Sequence, residues 1–118
     1  MTLDEIVTIL DGQFITMQNH RQREIRTGCG CDLMSDVLAF IKADSLLLTG
    51  LTNPQVIRTA EMADIEAICF VRGKKPAEKV IALAVEKNIS LLATDLPLFE
   101  ACGRLYRSGL VGCSELTG

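Results

Sequence analysis

Long apolar runs are missing from this 118-residue chain. Apolar residues make up 48% of it but are broken up everywhere. No stretch approaches the roughly 18 residues that cross a bilayer as a helix. No charged-then-apolar leader follows Met1, and the expectation is a soluble, cytoplasmic protein without a membrane partner. A basic surplus is lacking too. The formal net charge is −3, whereas a nucleic-acid binder carries excess cations that displace counterions from phosphates. The one basic stretch, His20-Arg21-Gln22-Arg23-Glu24-Ile25-Arg26, holds no aromatic residue on which a base could stack. It reads as a solvated turn between strands, and no nucleic-acid partner is expected.

Catalytic signatures are equally scarce. His20 is the single histidine and lies in that polar turn. The absence of G-x-x-x-x-G-K-[ST] and of G-x-S-x-G argues against P-loop ATP hydrolysis and against a nucleophile elbow. Gly28-Cys29-Gly30 opens like a dinucleotide fingerprint, but Leu33 takes the third glycine position. With no acid, base and nucleophile constellation, the expectation is a non-enzyme without a cofactor.

Five cysteines, an odd number, without a secretion signal point to reduced thiols. Cys69 sits inside an apolar strand and Cys102 on an apolar helix stripe, so both read as small core residues. Cys29 and Cys31 are two apart on a strand and share a face. With Cys113 and one more donor they could ligate a metal or an iron–sulfur cluster. Structural sites usually show two separated pairs, however, and this chain has one. No metal is the leading expectation, and a redox or metal-binding accessory protein is the alternative.

What the chain does have is one unit used three times: an apolar β-like run, a polar turn, then an amphipathic helix opened by proline. The runs are Ser45-Leu46-Leu47-Leu48-Thr49, Ala67-Ile68-Cys69-Phe70-Val71 and Ser90-Leu91-Leu92-Ala93-Thr94, followed by Pro54, Pro76 and Pro97. Strands joined by helical crossovers run the same way, so the fold class is α/β: one domain over residues 1–118, a mostly parallel sheet flanked by helices. The expected buried stripes are Val56, Ile57, Ala60 and Ala63; Val80, Ile81, Ala84 and Val85; and Leu98, Phe99, Cys102, Leu105 and Tyr106. Upstream, Thr2-Leu3-Asp4-Glu5 is a capping box for a helix to about Leu10. Gln13 to Met17 reads as a short strand, and a second strand runs through Ile25, Thr27 and Cys29. Asp32 is the expected N-cap of a helix through Leu33, Val37, Leu38 and Ile41. Val111 to Leu116 reads as a short edge strand, and Thr117-Gly118 as a fraying end. Glycines flanking Cys29 imply close approach by a neighbour.

A parallel sheet collects its strand ends along one edge, where open α/β folds bind ligands. The residues there are Cys31 and Asp32; Thr49, Gly50, Thr52 and Asn53; Arg72, Gly73 and Lys74; and Thr94 and Asp95. Free helix amides, hydroxyls, glycines and cations are the parts of an anion or phosphate site. The same residues also serve as ordinary caps and turns. Arg72 and Lys74 would oppose the helix dipoles unless an anion or a carboxylate compensates.

The chain resembles the DRTGG domain family, a small α/β regulatory domain akin to the N-terminal domain of HPr kinase/phosphorylase, from the first helix to Tyr106. The resemblance rests on Ile25-Arg26-Thr27-Gly28-Cys29-Gly30-Cys31-Asp32-Leu33-Met34-Ser35, on Ser45 to Gly50, on Arg72-Gly73-Lys74-Lys75-Pro76 and on Ile89 to Thr94. Relatives of this kind stand beside CBS pairs in nucleotide-regulated pyrophosphatases and at the front of some phosphotransacetylases. Stand-alone copies accompany hydrogenase and electron-transfer genes. The resemblance therefore implies a non-catalytic regulatory or ligand-sensing homodimer that takes an adenine nucleotide or another small anionic metabolite and acts with redox or hydrogenase partners. A docking module without a ligand is the other reading. The family's Asp-Arg pair is matched by Thr52-Asn53 and its Thr-Gly-Gly by Val71-Arg72-Gly73, so only the last glycine of the namesake residues is kept.

Overall fold

The computed structural model describes residues 1–16 and 20–115. Helix α1 (Leu3–Ile9) starts at the capping box: the Glu5 amide donates to the Thr2 hydroxyl at 3.2 Å, and the Thr2 amide donates to the Glu5 carboxylate at 3.1 Å. It is followed by β1 (Gln13–Phe14), β2 (Thr27–Gly30), α2 (Met34–Phe40), β3 (Ser45–Thr49) and α3 (Pro54–Met62). Then come β4 (Ala67–Phe70), α4 (Glu78–Glu86), β5 (Ser90–Ala93), α5 (Leu98–Arg107), β6 (Val111–Gly112) and a 3₁₀ turn (Cys113–Glu115). α3 opens on an Asn53 cap with Pro54 at its first position, where the missing N–H costs nothing.

Four helices stop in the same way. Asp11, Asp64, Asn88 and Gly109 adopt positive φ just past α1, α3, α4 and α5. The next amide, from Gly12, Ile65, Ile89 or Leu110, reaches back to Val7, Ala60, Ala84 or Leu105. This is a Schellman stop, which satisfies carbonyls the helix end would otherwise leave open. Asp, Asn and Gly are the residues that tolerate that conformation.

The sheet order is β1-β5-β4-β3-β2-β6, with every pair parallel except β1–β5. The α/β architecture expected from the repeated unit is therefore the one adopted, and the three apolar runs become β3, β4 and β5. All are buried on both sides, as central parallel strands must be. Leu46, Leu48, Cys69 and Leu92 face α1 and α5, while Leu47, Ile68, Phe70 and Leu91 face α2, α3 and α4.

Several local expectations need correction. The first strand is only Gln13–Phe14, although the Ile15 amide still donates to the Leu91 carbonyl at 2.8 Å; Met17 lies outside the described residues. The last strand stops at Gly112, where the 3₁₀ turn takes over, and Leu116 to Gly118 lie outside the described residues. Pro76 precedes α4 by two residues instead of opening it. Phe99, Tyr106, Val85, Leu33 and Leu38 are exposed despite their helical spacing. A helix lying on a sheet buries a narrower arc than its apolar pattern spans, so the residues at the stripe margins stay outside.

Candidate functional site

The strand ends of β2 to β5 share one edge, but they are not equivalent. After β4 the chain passes to α4 on one face, and after β5 it passes to α5 on the other. Neighbouring strands whose connections diverge leave a crevice between their carboxyl ends, the usual ligand position in open α/β sheets. Residues 71–75 and 94–97 form that crevice. Val71 to Lys74 make a tight turn, with the Lys74 amide donating to the Val71 carbonyl at 3.2 Å and positive φ at both Arg72 (58°) and Gly73 (68°), the hallmark of a type I′ turn. The Arg72 amide donates to Leu96 O and the Gly73 amide to Thr94 O, both at 2.9 Å, so the turn is fastened to the opposite wall. Among the described residues the other non-glycine positive-φ positions are all Asp or Asn. Arg72 is therefore the one long side chain held in a conformation it disfavours, and such outliers concentrate at functional sites.

A polar cleft of about 140 Å³ lies here, lined by Asp11, Gly12, Gln13, Gly73, Lys75, Ala93, Thr94 and Asp95. Asp11 to Gln13 and Lys75 were not among the expected site residues. Asp11 to Gln13 arrive because β1 pairs antiparallel with β5, Gln13 opposite Ala93, a contact no local pattern encodes; Lys75 simply follows the 71–74 turn. Of the expected residues, Gly73, Thr94 and Asp95 line this cleft. The Asp95 carboxylate comes so near Gly73 that a Cβ there would stand 3.0 Å from Oδ1. Thr94 is a structural clasp: its buried hydroxyl donates to the Leu10 carbonyl at 2.8 Å and accepts from the Leu96 amide at 3.2 Å.

Asp32, Thr49, Gly50 and Lys74 gather in a second group. Asp32 does not cap α2, whose N-cap is Leu33 without a side-chain bond. Its Oδ1 accepts instead from the Thr49 hydroxyl at 2.7 Å and the Gly50 amide at 2.8 Å. That ties β2's exit to β3's end, and a charged acceptor with two donors is a stronger arrangement than a solvated cap. The Lys74 ammonium stands over Gly50, 3.8 Å from where a Cβ would project. Asn53 accepts from the Gln55 amide at 3.1 Å as the cap of α3. Thr52 beside it is half-buried.

Two consequences follow for ligand chemistry. The amides of Gly50, Leu51, Arg72, Gly73 and Lys74 are all engaged internally, so these five form no nest for an anion. Among the described residues the Arg72 guanidinium and Lys74 ammonium have no hydrogen-bond or ion-pair partner. The N-termini of α2, α4 and α5 also lack side-chain caps. The carboxylates that temper this positive charge are Asp32 and Asp95, one on each side of the turn.

The thiols lie elsewhere. Cys69 is buried and its pKa is pushed up to about 12, by burial first and the neighbouring Cys102 second. Cys29 is raised to about 11, by burial and then by the thiols of Cys113, Cys31 and Cys102. Cys31 is occupied locally, its Sγ accepting from the Leu33 amide at 3.4 Å. Among the described residues no three His, Cys, Asp or Glu side chains gather where one metal ion could bind them, and no helix is long and apolar enough to cross a membrane.

A family model described as the DRTGG domain matches residues 5–108. The fold is also that of a solved structure, the CBS and DRTGG domains of the regulatory region of Clostridium perfringens pyrophosphatase, complexed with its activator diadenosine tetraphosphate. The similarity has a TM-score of 0.69 at 18% identity and covers 98% of this chain but 50% of that one, so the chain spans half the length of that protein's solved region. No curated protein matches the sequence.

Proposed function

The chain belongs to the DRTGG domain family, and from that premise we propose that it is a non-catalytic, cytoplasmic regulatory domain, one unit over residues 1–118, sensing a small phosphate-bearing metabolite. The binding edge is the set Asp32, Thr49, Gly50, Thr52, Asn53, Arg72, Gly73, Lys74, Thr94 and Asp95, with Arg72 and Lys74 supplying the charge. The observation that carries this reading is Arg72: a cation without a partner among the described residues, held at positive φ on a turn fastened across the switch crevice. Asp32 and Asp95 compensate part of the positive charge in the empty state, and an incoming anion compensates the rest.

Size limits the ligand. The cleft of about 140 Å³ is well below the roughly 300–1,000 Å³ of sites that enclose a whole small molecule. It has room for a single phosphate or carboxylate group, and because its lining sets Lys75 against Asp11 and Asp95, the charge for that group falls to Arg72 and Lys74 on the adjoining turn. An adenine nucleotide would lie across the open edge with its phosphates over the 72–75 turn and its base outside the cleft. A second chain would then complete the site, and a homodimer belongs to the same reading. Proteins of redox and hydrogenase metabolism are the partners the family likeness suggests. No cofactor and no catalytic residue is assigned.

The test is thermal unfolding of the reduced protein with ATP, diadenosine tetraphosphate, GTP, NAD and inorganic phosphate. A ligand at a hundred times its dissociation constant adds roughly 2.7 kcal/mol, about 10 °C for a domain of this size. We expect one nucleotide class to produce the shift and Arg72→Ala to lose most of it while unfolding at the same midpoint without ligand. An equal shift in Arg72→Ala would remove the site assignment. A flat panel would leave a docking module.

A further inference from the structure

The thiols outside the candidate site are not scattered at random. In the parallel pairing of β2 with β6, Thr27 stands opposite Val111 and Gly28 opposite Gly112. The ladder ends there, and the next residue on each side is a cysteine: Cys29 still on β2, and Cys113 as the first residue of the 3₁₀ turn. The Gly28–Gly112 pair holds the two segments about 4.8 Å apart one residue before each cysteine, and a disulfide spans Cα separations of roughly 4.4–6.8 Å. A second observation puts the sulfur on the correct face. Cys113 Sγ lies 3.5 Å from the Thr27 hydroxyl and 3.5 Å from the Ser45 hydroxyl. Thr27 and Cys29 are two apart on β2, so their side chains leave the same side of the sheet.

We propose that Cys29 and Cys113 form a reversible intramolecular disulfide when the protein meets a hydroperoxide, a modification that pins edge strand β6 and the 3₁₀ turn to β2. The other thiols are excluded by place. Cys102 stands above Gly30 on the opposite face, Cys69 is in the interior, and Cys31 is engaged with Leu33. Side chains two apart on one strand are also too far apart for the Cβ separation of about 3.8 Å that a disulfide needs.

The two thiols have different characters. Burial pushes the half-buried Cys113 thiol up, but hydrogen bonds from Ser45 and Thr27, with Lys42 adding its backbone and its charge, bring its pKa below the ordinary value. Cys29, raised to about 11, stays a thiol. Cys113 is thus the attacking sulfur. Its thiolate takes the outer peroxide oxygen; the O–O bond breaks, and the leaving alkoxide or hydroxide picks up a proton. The sulfenic acid is then attacked by Cys29 as Cys113 rotates away from Thr27. The S–S bond forms, the Cys29 proton and the sulfenic hydroxyl leave as water, and the two thiols have given up two electrons. A dithiol reductant reverses the bond by exchange. None of this depends on the anion site.

The experiment treats the reduced full chain with hydrogen peroxide, alkylates the remaining thiols and maps tryptic peptides. Of the five free thiols, two should disappear and return with dithiothreitol. Peptide 27–42 should be joined to peptide 108–118. Because peptide 27–42 carries both Cys29 and Cys31, Cys31→Ser must keep the link and Cys29→Ser must lose it; fragment spectra of the wild-type link decide the same point without any variant. Retention of all five thiols, a link through Cys31, or a link between two chains would overturn the proposal.

Discussion

Gly30 illustrates how much a single position can decide. It ends β2 beneath α5, and a Cβ built on it would stand 2.5 Å from Cys102 Sγ and 3.3 Å from Leu98 Cδ1. The glycine therefore lets the helix settle onto the sheet, the close approach that its place beside Cys29 implied in the sequence. Gly30→Ala should cost about 1–3 kcal/mol through overpacking. Adding Cys102→Ala removes the nearest obstacle and should recover a large part of that loss. Urea unfolding of the two single variants and the double variant measures the coupling, and additive costs would show that the contact does not set the helix position. Asp32 teaches the opposite lesson. Its sequence context reads as a cap, but two donors from the neighbouring strand end outcompete a role on its own helix.

At the level of elements, the ends are better specified than the faces. The capping box of α1 and the Asn53-Pro54 start of α3 are local chemistry, legible because donor and acceptor lie within three residues of each other. Thr2→Ala removes the hydroxyl that receives the Glu5 amide and should destabilise the protein by about 1 kcal/mol. Thr2→Ser, which keeps the hydroxyl, should stay close to wild type; equal losses in both would assign the effect to something other than the cap. The Schellman stops could have been read from Asp11-Gly12 and Ser108-Gly109 on similar grounds. Which arc of each helix is buried was less legible. Periodicity marks an apolar side, but the width of that side in contact depends on the sheet beneath it. That is why Phe99 is 88% exposed on a helix whose apolar pattern includes it.

For the whole molecule, the exposed apolar residues bear on assembly. Phe40 and Met62 on the α2/α3 side of the sheet and Phe99 on the α5 side are 71%, 74% and 88% exposed. The homodimer proposed above should appear by light scattering at micromolar concentration, and a monomer mass there would remove it. By itself the sequence determined the α/β class, the three parallel strands, the starts of α1 and α3 and the edge where strand ends gather, because propensity, capping and alternation act over a few residues. Only the tertiary structure decided the rest. The strand order, the placement of α4 and α5 on opposite faces, the antiparallel return that brings Asp11 to Gln13 beside Asp95, and the β2–β6 pairing that brings Cys113 against Thr27 all join residues tens of positions apart. Such contacts follow from packing two helical layers on one sheet, and no local window of the chain contains both partners.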